Sequence, residues 1–349
     1  MDAFFAAIEE RDNPRFRGRP IVVGADPDGG NGRGVVSTAN YKAREYGIRS
    51  ALPISTAWRY AEEARRRGMP EAIFLGVNME KYARVSERVM DIVRKRVLAV
   101  EQASVDEAYL DLSICENYNA AEKLAQEIKS EIREKEKLTC SVGIGPNKLV
   151  AKIASDMKKP DGLTTIRPEE VEKFMDTLSV RKIPGIGPKT EMELHKLGVK
   201  LISDLKKLSR EELTKRFGKW GGGMYERARG VDDSPVEESD EVKSIGEQDT
   251  FPKDTLDPGV IFERFDKLAK GVFESFGASG FKKYKTIVIT VRLEDFETKT
   301  RSHTLSAPAS DLATIRFEGL RILTPFFDKR ENPNKKAIRL VGIRIEKLE

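Results

Sequence analysis

Cysteine and histidine are nearly absent: the 349 residues hold two of each, Cys115 and Cys140, His195 and His303. Two thiols cannot build a disulfide framework, and so few histidines cannot complete a zinc site of ordinary Cys/His spacing. Both cysteines read as buried thiols. Long apolar runs are missing as well, with nothing near the roughly 18 consecutive apolar residues of a spanning helix, so no membrane role is expected. The opening stretch MDAFFAAIEERDNPR lacks a basic segment followed by an apolar core and a cleavage site. A secretory route is therefore not expected, and the cytoplasm is the expected compartment.

What the chain does have is charge and enough apolar residues for ordinary cores: 34% charged and 39% hydrophobic, with a net charge of +5. At roughly 100 to 200 residues per domain, its length predicts two to four domains. The charge is uneven. Residues 181–230 carry 13 basic and 6 acidic side chains, a net +7, while the next ten, VDDSPVEESD, carry five acids and no base. A concentrated basic block suits a polyanionic partner, and equally suits a solvated basic surface.

Periodicity outlines the elements. A helix is predicted over Phe4 to Asp12, followed by two short β-rich runs, Ile21 to Val23 and Val35 to Ser37, forming a hairpin around the loop DPDGGNGR. That loop is Gly-rich but lacks the Gly-Lys-Ser/Thr ending of a phosphate-binding Walker loop, and it does not lead from strand into helix. Apolar residues recur at three and four through Tyr82, Val85, Val89, Ile92, Val93 and Val97, predicting an amphipathic helix from Lys81 to Val97 that packs on a sheet. Strands are expected at Ala103 to Leu112 and Cys140 to Ile144, with a helix, Ala120 to Glu134, between them. Beyond Gly162 the texture turns helical and short-looped. The acidic stretch 231–242 reads as a linker. A second α+β domain follows, with strands at Thr286 to Leu293, Thr300 to Leu305 and Ile338 to Ile345, and helices at Val260 to Phe273 and Leu312 to Leu323.

Four motifs invite chemistry. In SVDEAYLDL, Asp106 and Glu107 stand side by side; two adjacent anions repel and lose hydration, so either a solvated turn or a cation must accommodate them. If a metal is involved, hard carboxylate oxygens favour Mg2+ or Mn2+ over zinc. In IPGIGPKTEMELHKLGV, Gly185 and Gly187 form a tight turn opening a helix with Lys189 just inside it, an anion nest suited to a backbone phosphate and typical of a helix-hairpin-helix DNA binder. Such a turn carries position and no sequence readout. In STANYKAREYGI, Tyr41 and Arg44 lie at i and i+3, on one face if helical. In SDMKKPDG, Lys158 and Lys159 precede a proline where the chain must turn.

Together, MDAFFAAIEE, STANYKAREYG, SVDEAYLDL with SVGIGPNKLVAKIASDMKKPDG, and IPGIGPKT resemble the Y-family DNA polymerases in order, spacing and sequence across essentially the whole chain, most nearly the DNA polymerase IV branch and its archaeal members. The resemblance implies an α+β multidomain right-hand fold. Its parts would be a palm at 1–10 and 76–165, fingers at 11–75, a helix-hairpin-helix thumb at 166–230, a linker at 231–242 and an α+β little finger at 243–349. The implied function is template-directed, low-fidelity DNA synthesis past damaged bases, joining dNTP to a primer 3′ hydroxyl.

By the same resemblance, Asp106 and Glu107 are catalytic and, with the backbone carbonyl of Met1, hold two Mg2+ ions about 3.5 to 4 Å apart, for which Mn2+ can substitute. Thr38, Tyr41, Arg44 and Lys159 grip the triphosphate, Phe4 and Phe5 line the nucleotide site, and Phe5 is the steric gate. Gly185, Gly187 and Lys189 take the DNA backbone. Primer–template DNA and dNTP are the implied partners of a monomer. A sliding clamp is a further family partner, although GIRIEKLE lacks the usual clamp-binding tail.

One departure bears on the metals. In the family a further aspartate, two positions before the one that Asp2 matches, is a metal ligand, and residues i and i+2 of a strand lie about 6.5 to 7 Å apart. Asp2 is therefore not expected to replace it, and the expectation is a native chain that begins upstream of Met1. The alternative is a non-catalytic DNA-binding clamp on a polymerase-like scaffold. A palm-type nucleotide cyclase would explain the carboxylates but leaves the helix-hairpin-helix without a task.

Overall fold

In the computed structural model the chain is described at residues 1–238 and 242–349. The expected linker at 231–242 thus includes 239–241, which lie outside the described residues. Contacts divide the chain into two units, Met1–Asp26 with Val35–Ser239, and Pro27–Gly34 with Asp240–Glu349.

The first unit begins with α1 (Phe4–Asp12), then β1 (Ile21–Gly24), β2 (Val36–Ala39), α2 (Tyr41–Arg44), α3 (Ile54–Arg66) and β3 (Ile73–Leu75). The two strands expected as a hairpin do pair antiparallel, Val22 opposite Ala39 and Val23 opposite Thr38. Strand β3, not anticipated from the sequence, joins β1 in parallel. All four residues of β1 are buried, because side chains alternate across a strand and both faces are covered. Ile21 and Val23 enter one core with Phe4, Ile8, Tyr82 and Val89, whereas Val22 enters another with Ala43, Ile48, Ile54 and Ala57.

Next come α4 (Met79–Arg94), β4 (Val100–Gln102), β5 (Ala108–Leu110), α5 (Tyr118–Glu136), β6 (Val142–Ile144), α6 (Lys148–Ser155) and β7 (Leu163–Thr165). Asparagine opens several of these helices: Asn40, Asn78, Asn117 and Asn147 each accept a hydrogen bond from a first-turn backbone N–H, which satisfies a donor that would otherwise lack a partner. The single strand expected at Ala103 to Leu112 is replaced by the β4–β5 hairpin, and the acids sit in its turn. Glu136 at the end of α5 takes Arg88 at 2.7 Å and Arg11 at 3.0 Å, tying α1, α4 and α5 together. Those two guanidiniums hold its carboxyl below the ordinary glutamate range.

The rest of the first unit is helical: α7 (Val171–Asp176), α8 (Pro188–Lys196), α9 (Ile202–Leu205), α10 (Arg210–Phe217) and α11 (Lys219–Ala228). Its core joins Met175, Leu194, Ile202, Leu213 and Met224 to Leu149 and Ile153 from one face of α6, while Val150 and Ala154 from the next face pack with Ile166.

The second unit contains β8 (Ser244–Thr255), α12 (Pro258–Ala278), β9 (Tyr284–Leu293), β10 (Thr298–Ala309), α13 (Leu312–Leu323) and β11 (Ile338–Glu346). Its four strands run antiparallel in the order β10-β9-β11-β8. Ile287, Ile289 and Val291 of β9 bury one face of the sheet against Phe265 and Val272 of α12 and Ile315 of α13. Among the described residues no helix is long and apolar enough to cross a membrane.

Candidate active site

The β4–β5 turn is closed by Ala103 N–H and Ser104 N–H, which both donate to the Glu107 carbonyl, at 3.0 and 3.2 Å. The Ser104 hydroxyl donates to Asp106 Oδ1 at 2.9 Å and accepts from the Asp106 N–H at 3.3 Å. Glu107 pairs with Lys152 of α6. Neighbouring carboxylates are thus accommodated twice over, by a partly exposed turn and by a lysine brought in from α6. The Met1 ammonium donates to the Asp106 carbonyl at 2.6 Å, which draws the start of the chain to this turn.

Asp106 and Glu107 stand where two cavities meet. The smaller, about 290 Å³, is also lined by Met1, Ala3, Phe4, Phe5, Ser37, Thr38, Tyr41, Arg44, Ser50 and Lys159. Every residue expected to hold a nucleotide is therefore at one hollow, although these residues come from three separate stretches of chain. The larger cavity, about 780 Å³, shares Met1, Asp106, Glu107 and Lys159 with it and extends past Lys148 and Lys152 to Asp232.

Helix α2 aims two of these side chains. Asn40 is buried; besides capping α2 it accepts from Ile21 N–H at 2.9 Å and donates to the Arg19 carbonyl at 2.8 Å, which fixes where the helix starts. Arg44 donates to the Ala39 carbonyl at 2.9 Å, and its guanidinium lies 4.6 Å from the centre of the Tyr41 ring, the pairing that i and i+3 spacing permits. The Tyr41 hydroxyl is buried and makes no hydrogen bond. A buried orphan hydroxyl costs on the order of 1–3 kcal/mol, which a ligand oxygen would relieve. Burial raises its pKa, and the nearby Asp2 charge adds to the rise against Arg44 and Lys159, so it remains a donor at neutral pH.

Lys159 lies in the turn after α6, 2.8 Å from Asp156. Burial works against its charge, but Asp156, Glu107 and Asp2 outweigh that and hold its pKa above the ordinary lysine value. Phe5 is half-buried and stacks on Tyr82, with ring centres 4.2 Å apart and planes at 11°. Tyr82 is fully buried and donates to Glu9 at 2.8 Å. Phe4 differs: its side chain is 2% exposed and belongs to the core, so what it can offer the hollow is backbone. Asp2 is buried too, and its carboxylate accepts from the Ser141 hydroxyl and the Asp161 N–H.

The helix-hairpin-helix turn is elsewhere in the first unit. Gly185 has φ +93°, and a Cβ there would lie 2.5 Å from the Trp220 ring. Gly187 caps α8, whose first turn carries the exposed Lys189. Arg181 donates to the Ile186 carbonyl at 2.6 Å and braces the loop. Lys152 and Lys148, four apart on α6, were not singled out in the sequence; Lys148 bonds both Glu101 oxygens, at 2.9 and 2.7 Å, and the Pro235 carbonyl at 3.0 Å. Their i, i+4 spacing behind Asn147 was the available signal.

As to metal, no group of three or more His, Cys, Asp or Glu side chains is placed to hold an ion among the described residues. Two carboxylates do fit Mg2+, which keeps several waters and binds through one or two carboxylates plus substrate phosphates.

Comparison with known proteins agrees along the chain. Residues 1–156 match the impB/mucB/samB family, 242–349 the C-terminal domain of that family, and 181–232 the thumb domain of DNA polymerase-iota. The chain is 45% identical over 349 residues to DNA polymerase IV 2 of Methanosarcina mazei, covering all of this chain and 90% of that protein. Among solved structures, a Y-family DNA polymerase chimera of Dbh and Dpo4 superposes with a TM-score of 0.86 at 31% identity, over 99% of this chain and 97% of that one. An insertion ternary complex of Dbh DNA polymerase gives a TM-score of 0.67 at 31% identity over the same shares.

Proposed function

We propose, since this chain belongs to the impB/mucB/samB family and is a DNA-directed DNA polymerase, that it carries out translesion synthesis in the cytoplasm, adding dNTP to the 3′ hydroxyl of a primer on a damaged template. One observation carries the reading: the unpartnered Tyr41 hydroxyl, Arg44 and Lys159 line the same hollow as the Asp106–Glu107 turn. A triphosphate in that hollow meets a neutral donor, a guanidinium fork and an ammonium point charge. Thr38 adds a hydroxyl from β2. The sugar lies over Phe5, whose ring would collide with a 2′ hydroxyl. The primer end approaches along the larger cavity, so the α-phosphate and the 3′ oxygen meet at the two carboxylates.

In the reaction the 3′ oxygen attacks the α-phosphorus, the bond to the β-phosphate oxygen breaks, and pyrophosphate leaves with the electron pair. Asp106, Glu107 and the Met1 carbonyl would hold two Mg2+ ions, or Mn2+, which when bound neutralise phosphate charge and favour the ionised hydroxyl. Arg44, Lys159 and the Tyr41 hydroxyl bind the charge that moves onto the β- and γ-phosphates, and are oriented before reaction by α2 and the 158–162 turn. The turn at Gly185 and Gly187, with Lys189, holds the duplex by its backbone.

Primer extension with and without a damaged template base tests this. Asp106→Ala is expected to lower extension by more than about 100-fold, beyond the effect of losing a group that merely supports a metal ligand. Extension at the parental rate would remove Asp106 from the chemistry. Stalling at every lesion that a replicative control also fails to pass would remove translesion synthesis and leave ordinary template copying.

A further inference from the structure

Asp2 and Lys129 are charged, buried and outside the chemistry described above. Asp2 is 4% exposed, and both its oxygens are taken: Oδ1 accepts from the Ser141 hydroxyl at 2.8 Å and Oδ2 from the Asp161 N–H at 2.9 Å. Lys129, on α5, is 6% exposed and donates to the Cys140 carbonyl at 2.5 Å, Asp161 Oδ1 at 2.9 Å and the Gly162 carbonyl at 3.1 Å. The Ser141 hydroxyl also accepts from Gly162 N–H at 3.2 Å. All of these bonds end on the 139–142 segment or on the turn that carries Lys159.

That turn is tightly built. Asp161 adopts φ +55°, a left-handed conformation unusual for a residue with a side chain, and a Cβ on Gly162 would lie 2.3 Å from the Lys158 carbonyl. At the other end of the same carboxylate's reach, Asp2 leads through Ala3, also left-handed at φ +47°, into the first turn of α1 and Phe5. Backbone held in such conformations needs surrounding structure that determines it. A single buried anion thus bonds the segment bearing Lys159 and is covalently continuous with the segment bearing Phe5, two walls of one hollow.

We infer that Asp2, seated by the Ser141 hydroxyl and the Asp161 N–H, is a positioning residue that sets Lys159 relative to Phe5, and so fixes the span between the phosphate and sugar ends of a bound nucleotide. The inference rests on the nucleotide reading of the hollow. Buried charges are retained at a desolvation cost, and fold stability alone would be served as well by apolar packing at the same place. Here the bonds of both charged groups converge on the turn whose Lys159 lines the hollow.

The test measures dNTP and rNTP dissociation constants of the full chain on a dideoxy-terminated primer–template, so that no turnover is needed. Asp2→Asn keeps the shape and removes the charge. It is expected to weaken dNTP binding about tenfold, the worth of one charge-assisted hydrogen bond, to change the ratio of dNTP to rNTP affinity, and to leave primer–template affinity alone. In a Lys159→Ala background the same change should add little, because residues acting through one another are not additive. Full additivity, or unaltered dNTP affinity in Asp2→Asn, overturns the inference while the nucleotide reading stands. Unaltered dNTP affinity in Lys159→Ala itself overturns both. Should Asp2→Asn fail to fold, Ser141→Ala removes one of the two bonds and is expected to shift dNTP affinity in the same direction by a smaller factor; no shift counts against the inference.

Discussion

Phe5 shows how much a single ring depends on what stands behind it. Stacking on Tyr82 presents one face of Phe5 to the hollow, and Tyr82 is immobilised by burial and by its bond to Glu9. On the proposed reading the ring excludes a 2′ hydroxyl by volume, which needs a rigid backing more than it needs affinity. Phe5→Ala is therefore expected to admit ribonucleotides with little change in dNTP use. Competing dNTP and rNTP incorporation opposite one template base measures this, and unchanged discrimination would return Phe5 to a packing role. Glu107 makes the complementary point: adjacency to Asp106 was visible in the sequence, whereas its lysine partner, 45 positions away, was not.

At the scale of elements, strong periodicity was legible and weak periodicity was not. Helices Phe4–Asp12 and Leu312–Leu323 run over the expected spans, and the helix expected from Lys81 to Val97 on its apolar spacing runs over Met79–Arg94. Strand β8, SIGEQDTFPKDT, carries no clear strand pattern because an edge strand exposes one side to water, breaks clean alternation and tolerates Pro252. The 103–112 run reads as one strand in sequence because its turn contains neither glycine nor proline. The glycine turn before α8 was legible for the opposite reason. Gly185→Ala would require a left-handed conformation from alanine and drive a methyl into Trp220, at a cost on the order of 1–3 kcal/mol. Thermal unfolding is expected to shift downward, and duplex affinity to fall alike on unrelated DNA sequences. Unaltered duplex affinity would separate this turn from DNA.

For the molecule as a whole, the net charge of +5 understates the field a polyanion meets, since 13 basic residues fall within 181–230. Duplex affinity is expected to fall linearly on a log–log plot against salt, with a slope of about −0.9 for each phosphate neutralised. Lys189→Gln should make that slope shallower by about one and leave sequence preference unaltered. Fluorescence anisotropy across a salt series checks both, and a slope unchanged in Lys189→Gln would take that lysine off the backbone.

Sequence alone determined what is local or carried by ordered motifs: the helical periods, the glycine punctuation before α8, the adjacent carboxylates, and the order of motifs along the chain. Tertiary structure decided which of these residues face one another. It drew Met1 to Asp106 across 105 positions, left the Tyr41 hydroxyl without a partner in the hollow, and buried Asp2 against the turn of Lys159. Local pattern reports the face on which a side chain lies; its burial and its partner depend on what the rest of the chain brings to that face, and no short-range spacing records that.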